Sequence, residues 1–332
     1  MKILITGNLG YVGSHLTRIL VDAGHEVVGC DLSLFPESIC GKLATPARQI
    51  ERDFRSLTAQ DLKGVEAIAH LAGISNDPMG EINPGLTLSI NGAGSVELAN
   101  LAKKVGVKKF VFASSCSVYG SSGNRPRNEN DPTNPLSEYA TSKLFAEAGL
   151  AKIATDFFHV YLLRNATAYG ASPVLRTDLV VNDLSAGICA TGIAEVRTDG
   201  SPWRPLIHCL DMARAFKEFI ESDPIQLNGK PVNIGFDSEN YQVKDIGILL
   251  EEIWDSCQVT YLNQDTNDPR NYKVDFELLK KSLPGFFIGT NLRQGIFELR
   301  EFLLQIKYAK KDRELKRYVR IEEIRKKLNQ LS

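Results

Sequence analysis

The sequence lacks several features that would each place a chain in a broad class of proteins. Lysine and arginine number 39 against 40 aspartates and glutamates, so the 332-residue chain has a formal net charge of −1 and no basic excess for binding nucleic acid. No apolar run approaches the ~18 residues of a membrane span. The first residues, MKILITG, lack the pattern of a signal peptide. We therefore expect no nucleic-acid partner, no membrane association and a cytoplasmic location.

Cysteine is also scarce, and its spacing argues against disulfides and metal sites. No C-x-x-C pair occurs, and no histidines cluster at metal-ligand spacing. Reduced thiols in a cytoplasmic protein, with no bound metal, are the expected state. The six positions are Cys30, Cys40, Cys116, Cys189, Cys209 and Cys257.

Short apolar runs alternate with segments of helical spacing along the first half of the chain. Because these runs are apolar on both faces, they predict a parallel, doubly wound α/β sheet covered by helices on each side. GKPVNIG, at 229–235, is interpreted as a late strand of the same sheet. The earlier runs are KILIT, HEVVGCD, VEAIAHLA, KKFVFASS and FHVYLLR.

The second half is less regular and predicts mainly helices. The segment TDLVVNDLSAGICATG has helical spacing and ends at Gly192, a typical helix terminator. Two further amphipathic segments are HCLDMARAFKEFIES and QVKDIGILLEEIWDS. The highly charged tail, residues 306–332, predicts one solvated helix that packs a single apolar stripe on the body.

The segment TGNLGYVGSHL places three glycines between the first strand and the first helix. In this context Gly7 permits a tight turn, Gly10 a close approach to a pyrophosphate, and Gly13 close packing of helix on strand. The alternative is a plain tight turn. We expect the whole loop to bind a dinucleotide cofactor, through Gly7, Asn8, Leu9, Gly10, Tyr11, Val12 and Gly13.

Acidic residues at the ends of two early strands specify which dinucleotide binds. Asp31 ends the second strand eighteen residues after Gly13, where a carboxylate accepts hydrogen bonds from the adenosine ribose. A carboxylate there repels a 2′-phosphate, so NAD is predicted rather than NADP. Asp53 is interpreted more weakly as an acceptor from the adenine amino group, with Phe54 packed beside it. Both aspartates have ordinary turn roles as alternatives.

Two further segments carry polar side chains suited to acid/base chemistry. YATSK places Tyr139 and Lys143 one helical turn apart, either as an acid/base pair or as a solvated surface pair. FVFASSCSVYG ends an apolar strand in hydroxyl groups, among them Ser114 and Ser115. Such groups face the ligand crevice of a parallel sheet, although a serine-rich turn explains them equally well.

Taken together, TGxxGxxG, Asp31, HLAG, FASSCSVYG and YATSK resemble the extended short-chain dehydrogenase/reductases. The set is most similar to the nucleotide-sugar epimerase/dehydratase branch, which includes UDP-galactose 4-epimerase. The resemblance extends from Met1 to about Leu304. It implies a Rossmann-type NAD-binding domain (1–165 and about 208–235), a smaller α+β nucleotide-sugar-binding domain (about 166–207 and 236–305) and the charged C-terminal helix.

The resemblance also implies roles for individual residues. Tyr139 would be the general acid/base, and Lys143 and the oxidised nicotinamide would both lower the pKa of its phenol. Lys143 would bond the nicotinamide ribose, and Ser115 the reacting sugar hydroxyl. His70 is expected to be structural. Further cofactor contacts are expected from Leu71, Ala72, Gly73, Asn91 and Ser114.

Substrate contacts follow from the same resemblance. The family's 4,6-dehydratases carry Asp-Glu directly after the catalytic hydroxyl residue, whereas this chain has Cys116 and Ser117, so a 4,6-dehydratase is not expected. The R-x-x-N-x-x-G segment is altered, because Thr167 replaces the usual asparagine. Arg204 and Arg270 would bind a diphosphate. The full expected set is Ser115, Cys116, Ser117, Tyr139, Asn165, Thr167, Arg176, Asn182, Arg204 and Arg270.

Three functions remain open from the sequence. The first is an NAD-dependent nucleotide-sugar epimerase that acts through a transient keto-sugar, at C4. The second is a net 4-dehydrogenase or 4-keto-sugar reductase that uses the same residues. The third is a non-catalytic NAD-binding protein, for which both Tyr139 and Lys143 are unnecessary. The resemblance implies a homodimer formed through the helices near 84–105 and 138–156.

Overall fold

The computed structural model describes residues 1–121, 125–264 and 270–331, with side chains up to Arg325. The strands are β1 (Lys2–Thr6), β2 (Glu26–Asp31), β3 (Arg48–Glu51), β4 (Ala67–His70), β5 (Lys109–Ser115), β6 (His159–Asn165), β7 (Thr167–Tyr169), β8 (Ile193–Val196), β9 (Trp203–His208), β10 (Pro231–Ile234), β11 (Asn240–Gln242) and β12 (Gln258–Tyr261).

The α-helices are α1 (Gly13–Asp22), α2 (Asp77–Gly80), α3 (Pro84–Thr87), α4 (Ser95–Lys104), α5 (Glu138–Ile153), α6 (Val180–Thr191), α7 (Cys209–Ser222), α8 (Val243–Ile253), α9 (Glu277–Ser282), α10 (Leu292–Gln305), α11 (Lys310–Glu314) and α12 (Arg320–Leu331). A π-helical segment, Leu88–Gly94, joins α3 to α4. Short 3₁₀ turns occupy Pro36–Ser38, Phe54–Ser56, Cys116–Tyr119, Ile225–Leu227 and Asp237–Glu239.

Within the described residues, seven strands form one parallel sheet in the order β10-β6-β5-β4-β1-β2-β3. The predicted parallel α/β sheet is therefore confirmed, and GKPVNIG does supply its last strand, which pairs Val232 with Leu163. Successive side chains point to opposite faces of a strand. Ile3 and Ile5 accordingly join the apolar cluster beside α1 and α7, whereas Leu4 joins the cluster on the opposite face, which contains residues of α4 and α5.

Smaller sheets follow the main one in the second half of the chain. β9 pairs with β7 and β11, and β8 pairs in parallel with β12. A third apolar cluster lies among α6, α8 and α10. α6 ends at Gly192, whose φ of 76° is the left-handed conformation that glycine adopts without strain, as the sequence predicted.

The helical segment near 84–105 contains a local irregularity. A π-helical turn, Leu88–Gly94, separates α3 from α4 and carries Asn91. π-helical turns are rare and often occur at functional sites. Here the wider turn carries the buried Asn91, whose side chain bonds to the segment that follows β4.

The tail differs from its prediction. Instead of one helix over 306–332, it forms α11 and α12, separated by residues that include Lys316 (φ 51°) and Tyr318 (φ 69°), both in the left-handed region that interrupts a helix. Arg320 and Glu323 are buried rather than solvated. The prediction of one solvated helix was therefore wrong, because the pattern of charges does not show which charged side chains tertiary contacts will bury.

Two other expectations concern absences. Across the chain segments that the structure describes, no helix is long and apolar enough to cross a membrane. The same segments contain no group of three or more histidine, cysteine or acidic residues placed to hold a metal ion. All six cysteines are unpaired.

Candidate active site

A cavity opens where the parallel strands of the main sheet end. Its wall includes the glycine-rich turn before α1, the ends of β2 and β5, the start of α5, and the segments that follow β4 and β6. Ligand sites of open parallel sheets lie at this edge. Among the polar and charged residues that line it are Asp31, Asp53, Ser75, Asp77, Ser114, Ser115, Ser117, Tyr139, Lys143, Asn165, Thr167, Arg176, Arg270, Tyr272 and Arg320.

The glycine-rich turn is packed so closely that side chains are excluded from it. A Cβ atom added to Gly13 would lie 2.0 Å from the carbonyl oxygen of Gly7, and one added to Gly7, which has φ +78°, would lie 2.8 Å from the amide nitrogen of Ala72. The loop thus brings bare backbone to the cavity at the start of α1, which is the arrangement that binds a dinucleotide phosphate.

Not every residue of this loop faces the cavity. Leu9, Tyr11 and Val12 line it, as do the three glycines. Asn8 turns away, since its side chain is buried and its Nδ2 donates to Oε1 of Gln49 at 2.8 Å. A direct cofactor contact by the Asn8 side chain is therefore not what the structure shows. Its amide supports the loop from below, beside Gly29 of β2 and Gln49 of β3.

The carboxylate of Asp31 is positioned by backbone amides. It accepts hydrogen bonds from Leu9 N at 3.1 Å and Ser33 N at 3.0 Å, and it lines the cavity at the end of β2. Burial raises the pKa of Asp31, while the amides of Ser33 and Leu9 act in the opposite direction. The position and chemistry of this group fit the two hydroxyls of an adenosine ribose.

Asp53 lies at the cavity wall, where its carboxylate is paired with a neighbouring arginine. Its carboxylate accepts from Arg55, at 2.7 Å from Nη2 and 3.1 Å from Nε, and this pairing lowers the pKa of Asp53. The carboxylate is therefore engaged by a neighbouring cation, which a spacing argument does not reveal. Phe54 lies buried at the cavity wall and packs edge-on against His70, with ring centroids 4.7 Å apart.

The segment after β4 is held by Asn91. Asn91 Oδ1 accepts from Ile74 N at 2.8 Å, and Asn91 Nδ2 donates to Ile74 O at 2.9 Å and to Ser142 Oγ at 3.1 Å. Asn91 is fully buried behind the cavity wall and acts as a brace between α5 and this segment. Gly73 leaves room for the brace, since a Cβ added there would lie 2.6 Å from Asn91 Oδ1. Leu71, Ala72 and Gly73 line the cavity.

His70 lies in the core, as expected of a structural residue. Its ring nitrogens form hydrogen bonds with Thr6 Oγ1 at 2.6 Å and Ser95 Oγ at 2.9 Å. Burial lowers the pKa of His70 to about 3, with a smaller effect from the positive charge of Lys143. The ring is therefore neutral near pH 7 and links β1 and β4 to α4.

Tyr139 stands at the cavity in the first turn of α5. That helix begins at Glu138 because Ser137 caps it, its hydroxyl accepting from Ala140 N at 3.2 Å. The Tyr139 side chain is hydrogen-bonded to Ser115. The pKa of Tyr139 is raised to about 12, chiefly by burial and also by the carboxylate of Asp77, while the bond to Ser115 acts in the opposite direction. Ser115 also accepts from Ser117 N at 3.2 Å.

Lys143 follows one turn later on the same face of α5. Its Nζ is buried 4.8 Å from the ring centroid of Phe112 and 5.7 Å from that of Tyr139. Burial lowers the pKa of Lys143 to about 8, and the carboxylate of Glu147 opposes the shift. The sequence interpretation expected Lys143 to lower the pKa of Tyr139, but the protein alone does not show this. Desolvation is the largest effect on the pKa of Tyr139, and the Lys143 ammonium lies over the rings of Phe112 and Tyr139.

A buried polar network supports the cavity floor, and sequence reasoning did not find it. Ser114 Oγ donates to Glu147 Oε1 at 2.5 Å, and Glu147 forms a bidentate ion pair with Arg164, whose shortest distance is 2.7 Å. Arg164 Nη1 donates to the hydroxyl of Tyr119 at 3.0 Å, which donates in turn to Asn233 Oδ1 at 2.8 Å. The network joins α5 to β5, β6 and β10.

The expected substrate residues divide into those at the cavity and those behind it. Ser117, Asn165 and Thr167 line the cavity. Ser117 Oγ and Asn165 Oδ1 are buried and have no hydrogen-bond partner among the described residues. Buried polar atoms of this kind are rare, and at a cavity wall they suit a ligand. Cys116 is fully buried instead, with its Sγ bonded to Arg164 O at 3.0 Å. Its predicted substrate contact is corrected accordingly.

The expected arginines divide in the same way. Arg176 and Arg270 line the cavity, where Arg176 pairs with Asp178 at 2.9 Å and Arg270 with Asp77 at 2.5 Å. Arg204 lies outside it and donates to the backbone oxygen of Arg270 at 2.5 Å. Arg204 therefore positions the segment that carries Arg270 rather than reaching the cavity itself.

Asn182 is also a supporting residue rather than a cavity residue. It is fully buried in α6, its Oδ1 accepts from Gly170 N at 2.9 Å, and its Nδ2 donates to Arg176 O at 2.8 Å and to the hydroxyl of Tyr11 at 3.1 Å. The hydroxyl of Tyr11 donates to Gly170 O at 2.6 Å. Asn182 and Tyr11 thus fix the segment that leads to Arg176.

Several residues of the cavity wall were not predicted from the sequence, among them Asp77, Tyr272 and Arg320. Asp77 follows Asn76, which caps α2, and the S-N-D-P order was a detectable signal for such a helix start. Tyr272 is buried at the cavity wall and has no motif around it. Arg320 comes from the charged tail, where nothing local separates it from the exposed Arg325 of the same helix.

Comparison with known proteins identifies the family. The model of the NAD dependent epimerase/dehydratase family matches residues 3–235. The chain belongs to this family. The resemblance inferred from the motifs is confirmed, and members of the epimerase/dehydratase family use NAD as their cofactor. The protein is therefore an NAD-dependent enzyme of the extended short-chain dehydrogenase/reductase type.

Relatives in this family carry out several reactions on nucleotide sugars. The chain is 28% identical over 312 residues to "Uncharacterized UDP-glucose epimerase YtcB" of Bacillus subtilis, covering 89% of this chain and 96% of that protein. It is 26% identical over 309 residues to UDP-glucuronic acid decarboxylase 1 of Arabidopsis thaliana, and the match covers 89% of this chain and 68% of that protein. The solved structure of MoeE5 in complex with UDP-glucuronic acid and NAD is 27% identical in sequence, with a TM-score of 0.78. The match covers 92% of this chain and 99% of MoeE5.

Proposed function

We propose that this enzyme is a nucleotide-sugar epimerase that inverts the sugar at C4 through a transient keto-sugar. The observation that carries the proposal is the convergence of Ser115, Tyr139 and Lys143 on the cavity that also contains the glycine-rich turn and Asp31. This arrangement places an acid/base phenol beside a dinucleotide site, where hydride transfer to or from a sugar carbon requires it.

The chain has the residues that NAD requires. The backbone of the glycine-rich turn would hold the diphosphate, Asp31 the adenosine ribose and Lys143 the nicotinamide ribose. The close packing of Gly7 and Gly13 supports this assignment, because side chains there would fill the loop. Bound NAD would supply a hydride acceptor and donor for the sugar carbon, and the positive charge of its oxidised ring.

Tyr139 acts as the base and then as the acid. It removes the proton from the C4 hydroxyl and later returns it to the keto oxygen, while Ser115 holds that oxygen in place. A phenol with a pKa of about 12 is a poor base at neutral pH. The guanidinium groups of Arg176 and Arg270 lower the pKa of Tyr139, and the positive ring of oxidised NAD would lower it further.

The substrate side of the cavity suits a sugar joined to a diphosphate. The unpartnered Ser117 Oγ and Asn165 Oδ1 would take hydrogen bonds from sugar hydroxyls, and Arg176 and Arg270 would bind the diphosphate. The neutral pair Cys116 and Ser117 replaces the carboxylates that a 4,6-elimination uses, and Cys116 points into the core. These features support an epimerase over a 4,6-dehydratase.

A decarboxylase is the second candidate, favoured by the similarity to the Arabidopsis UDP-glucuronic acid decarboxylase over 89% of this chain. Oxidation of a uronic acid at C4 places a ketone β to the C6 carboxylate. The C5–C6 bond then breaks, carbon dioxide leaves, and the electron pair forms an enolate that is protonated at C5. Return of the hydride to C4 gives a pentose nucleotide. The same Tyr139 and Ser115 would serve this reaction.

The test is to incubate the purified enzyme and NAD with UDP-glucose or with UDP-glucuronic acid, and to analyse the products by mass spectrometry and NMR. A product inverted at C4, with a C4 deuterium label retained and no net NADH, supports the epimerase. A pentose nucleotide with carbon dioxide supports the decarboxylase instead. Accumulation of NADH equal to the sugar consumed contradicts both and identifies a net dehydrogenase. A Tyr139→Phe sample controls for contaminating enzymes.

We also propose a cytoplasmic homodimer with the two-domain division expected from the sequence. The free thiols support the location. Leu86, Leu88 and Phe145 support the dimer, because these large apolar side chains are exposed on the helical segments at 84–94 and 138–153. These are the segments that the family resemblance assigns to a four-helix interface.

A further inference from the structure

Arg320 is a buried cation with unused hydrogen-bond donors. It lies at the start of α12 and is only 7% exposed. Its Nη1 donates to Ser75 Oγ at 3.3 Å, and its guanidinium carbon lies 4.6 Å from the ring centroid of Phe35. Its Nε and Nη2 have no hydrogen-bond partner within the described residues, although both are buried. Burying such donors is costly unless a ligand satisfies them.

The unused donors lie at the cofactor side of the cavity. Arg320 Nη2 is 3.9 Å from the position of a Cβ built on Gly10, the residue whose backbone is expected to approach the pyrophosphate. Arg320 lines the same cavity as Gly10 and Asp31. Burial lowers the pKa of Arg320 to about 10, so its guanidinium remains charged at neutral pH.

The tail reaches this position because it is fastened on both sides of the cavity. On the cofactor side, Ser38 Oγ donates to Glu323 Oε1 at 2.9 Å in a buried hydrogen bond. On the substrate side, Thr177 N donates to Tyr318 O at 3.0 Å, and Thr177 Oγ1 donates to Arg317 O at 3.2 Å. The segment 317–325 therefore spans from the loop after β2 to the segment before α6, and Arg320 lies between these attachments.

We propose that Arg320 binds the diphosphate of NAD and that the segment 317–325 is a strap that retains the cofactor through turnover. The inference rests on the NAD-dependent function proposed above, and it adds a cofactor contact from outside the dinucleotide-binding sheet. A guanidinium has the planar, forked donors that fit two oxygens of a diphosphate. Retention of NAD suits an epimerase, which regenerates its cofactor in every cycle.

The charges around Arg320 favour a diphosphate over a ribose 2′-phosphate. Asp31, Asp178 and Glu323 attract the guanidinium, while Arg176 repels it. The carboxylate of Asp31 occupies the place beside the adenosine ribose and would repel a 2′-phosphate. The open Nη2 donor of Arg320 lies towards Gly10 and the start of α1, where the diphosphate of a dinucleotide is bound.

The test compares the binding of NAD, ADP-ribose and adenosine to the full-length wild type and to Arg320→Gln, by calorimetry or by displacement of NADH fluorescence. We expect Arg320→Gln to weaken the binding of NAD and ADP-ribose by about 10- to 100-fold, which corresponds to the loss of a charge-assisted hydrogen bond. The affinity for adenosine should stay within about twofold of the wild-type value. Arg320→Lys should restore part of the loss. NAD should also dissociate faster from Arg320→Gln.

Arg325→Gln is the matched control, because Arg325 is an exposed arginine of the same helix whose partner is Glu322. It should bind all three ligands like the wild type. Unchanged NAD binding by Arg320→Gln overturns the proposal, as does equal weakening of NAD and adenosine, which indicates general disruption. A wild type that binds NADP more tightly than NAD, with this preference lost in Arg320→Gln, also overturns the proposal. A wild type that binds no NAD at all would instead contradict the proposed function.

Discussion

The Nζ atom of Lys143 lies 5.7 Å from the ring centroid of Tyr139, one turn further along α5. Both groups are buried at one cavity, and burial acts on them in opposite directions. It raises the pKa of the phenol to about 12 and lowers the pKa of the ammonium to about 8. The pair is therefore held as neutral phenol and cation near pH 7, and it needs added positive charge before the phenol ionises.

Replacement of Tyr139 tests the acid/base assignment. Tyr139→Phe should lower kcat by about 10²- to 10⁴-fold, because a positioned acid/base contributes that much to proton transfer. NAD affinity should stay close to that of the wild type. Steady-state kinetics and calorimetry provide the two measurements. Tyr261→Phe, a half-exposed tyrosine on β12, is the control and should keep full activity. Comparable activity in both variants would show that Tyr139 is not the acid/base of the reaction.

Lys143 should reduce stability while serving function. Its pKa is about 8 in the folded chain against 10.5 when unfolded, so the unfolded state binds more protons between these values and stability rises with pH there. The buried charge is fully penalised below pH 8. Lys143→Met should therefore raise the free energy of unfolding by up to about 3 kcal/mol at pH 7, which follows from pKa values of 10.5 and about 8 at about 1.36 kcal/mol per pKa unit.

This gain should shrink as the pH rises from 8 towards 10.5, where both states become neutral. Urea unfolding at pH 7 and pH 9.5 provides the comparison, and activity should be lost at both values. Lys281→Met, at an exposed position of α9, is the control and should change stability little at either pH. A Lys143→Met protein less stable than the wild type at pH 7 would show that the ammonium stabilises the fold.

The ion pair between Glu147 and Arg164 should be essential to stability. Both side chains are 7% exposed, so Glu147→Leu leaves a buried cation uncompensated and should cost about 3–5 kcal/mol in the free energy of unfolding. The double variant Glu147→Leu/Arg164→Met should recover part of that loss, because it removes both charges. Glu277→Leu, from the exposed pair with Lys281, should cost less than about 1 kcal/mol.

Chemical denaturation of these variants provides the measurement. If the double variant is as unstable as Glu147→Leu alone, the loss comes from the hydrogen bonds of Ser114 and Tyr119 rather than from the unpaired charge. Restored stability in the double variant, with poor activity, would show that the network also positions Ser114 and Lys143 at the cavity.

The proposed dimer can be tested at Phe145. This side chain is 51% exposed on α5, in the expected interface, so Phe145→Glu should shift the protein to a monomer in sedimentation velocity. Phe157→Glu is the control, since Phe157 is 90% exposed but lies beyond the end of α5. A dimer that persists in Phe145→Glu, or that is lost equally in both variants, would contradict the assigned interface.

The sequence determined the features of this protein that depend on local pattern. The alternation of apolar runs specified the parallel sheet, since strands buried on both faces must be apolar throughout. The glycine spacing specified the turn before α1, because steric exclusion there involves backbone only a few residues away. Tyr139 and Lys143 were found for a similar reason, as one helical turn brings their side chains to one face.

Only the tertiary structure decided which polar side chains face the cavity. Cys116 and Ser117 are adjacent in sequence, yet one is in the core and the other is at the wall. Asn182 and Arg204 support other residues instead of reaching a ligand. Arg320 comes from the far end of the chain. It is held at the cavity because Ser38 bonds Glu323 and Thr177 bonds Tyr318 on either side of it. Such placements depend on long-range packing and desolvation, which no local spacing encodes.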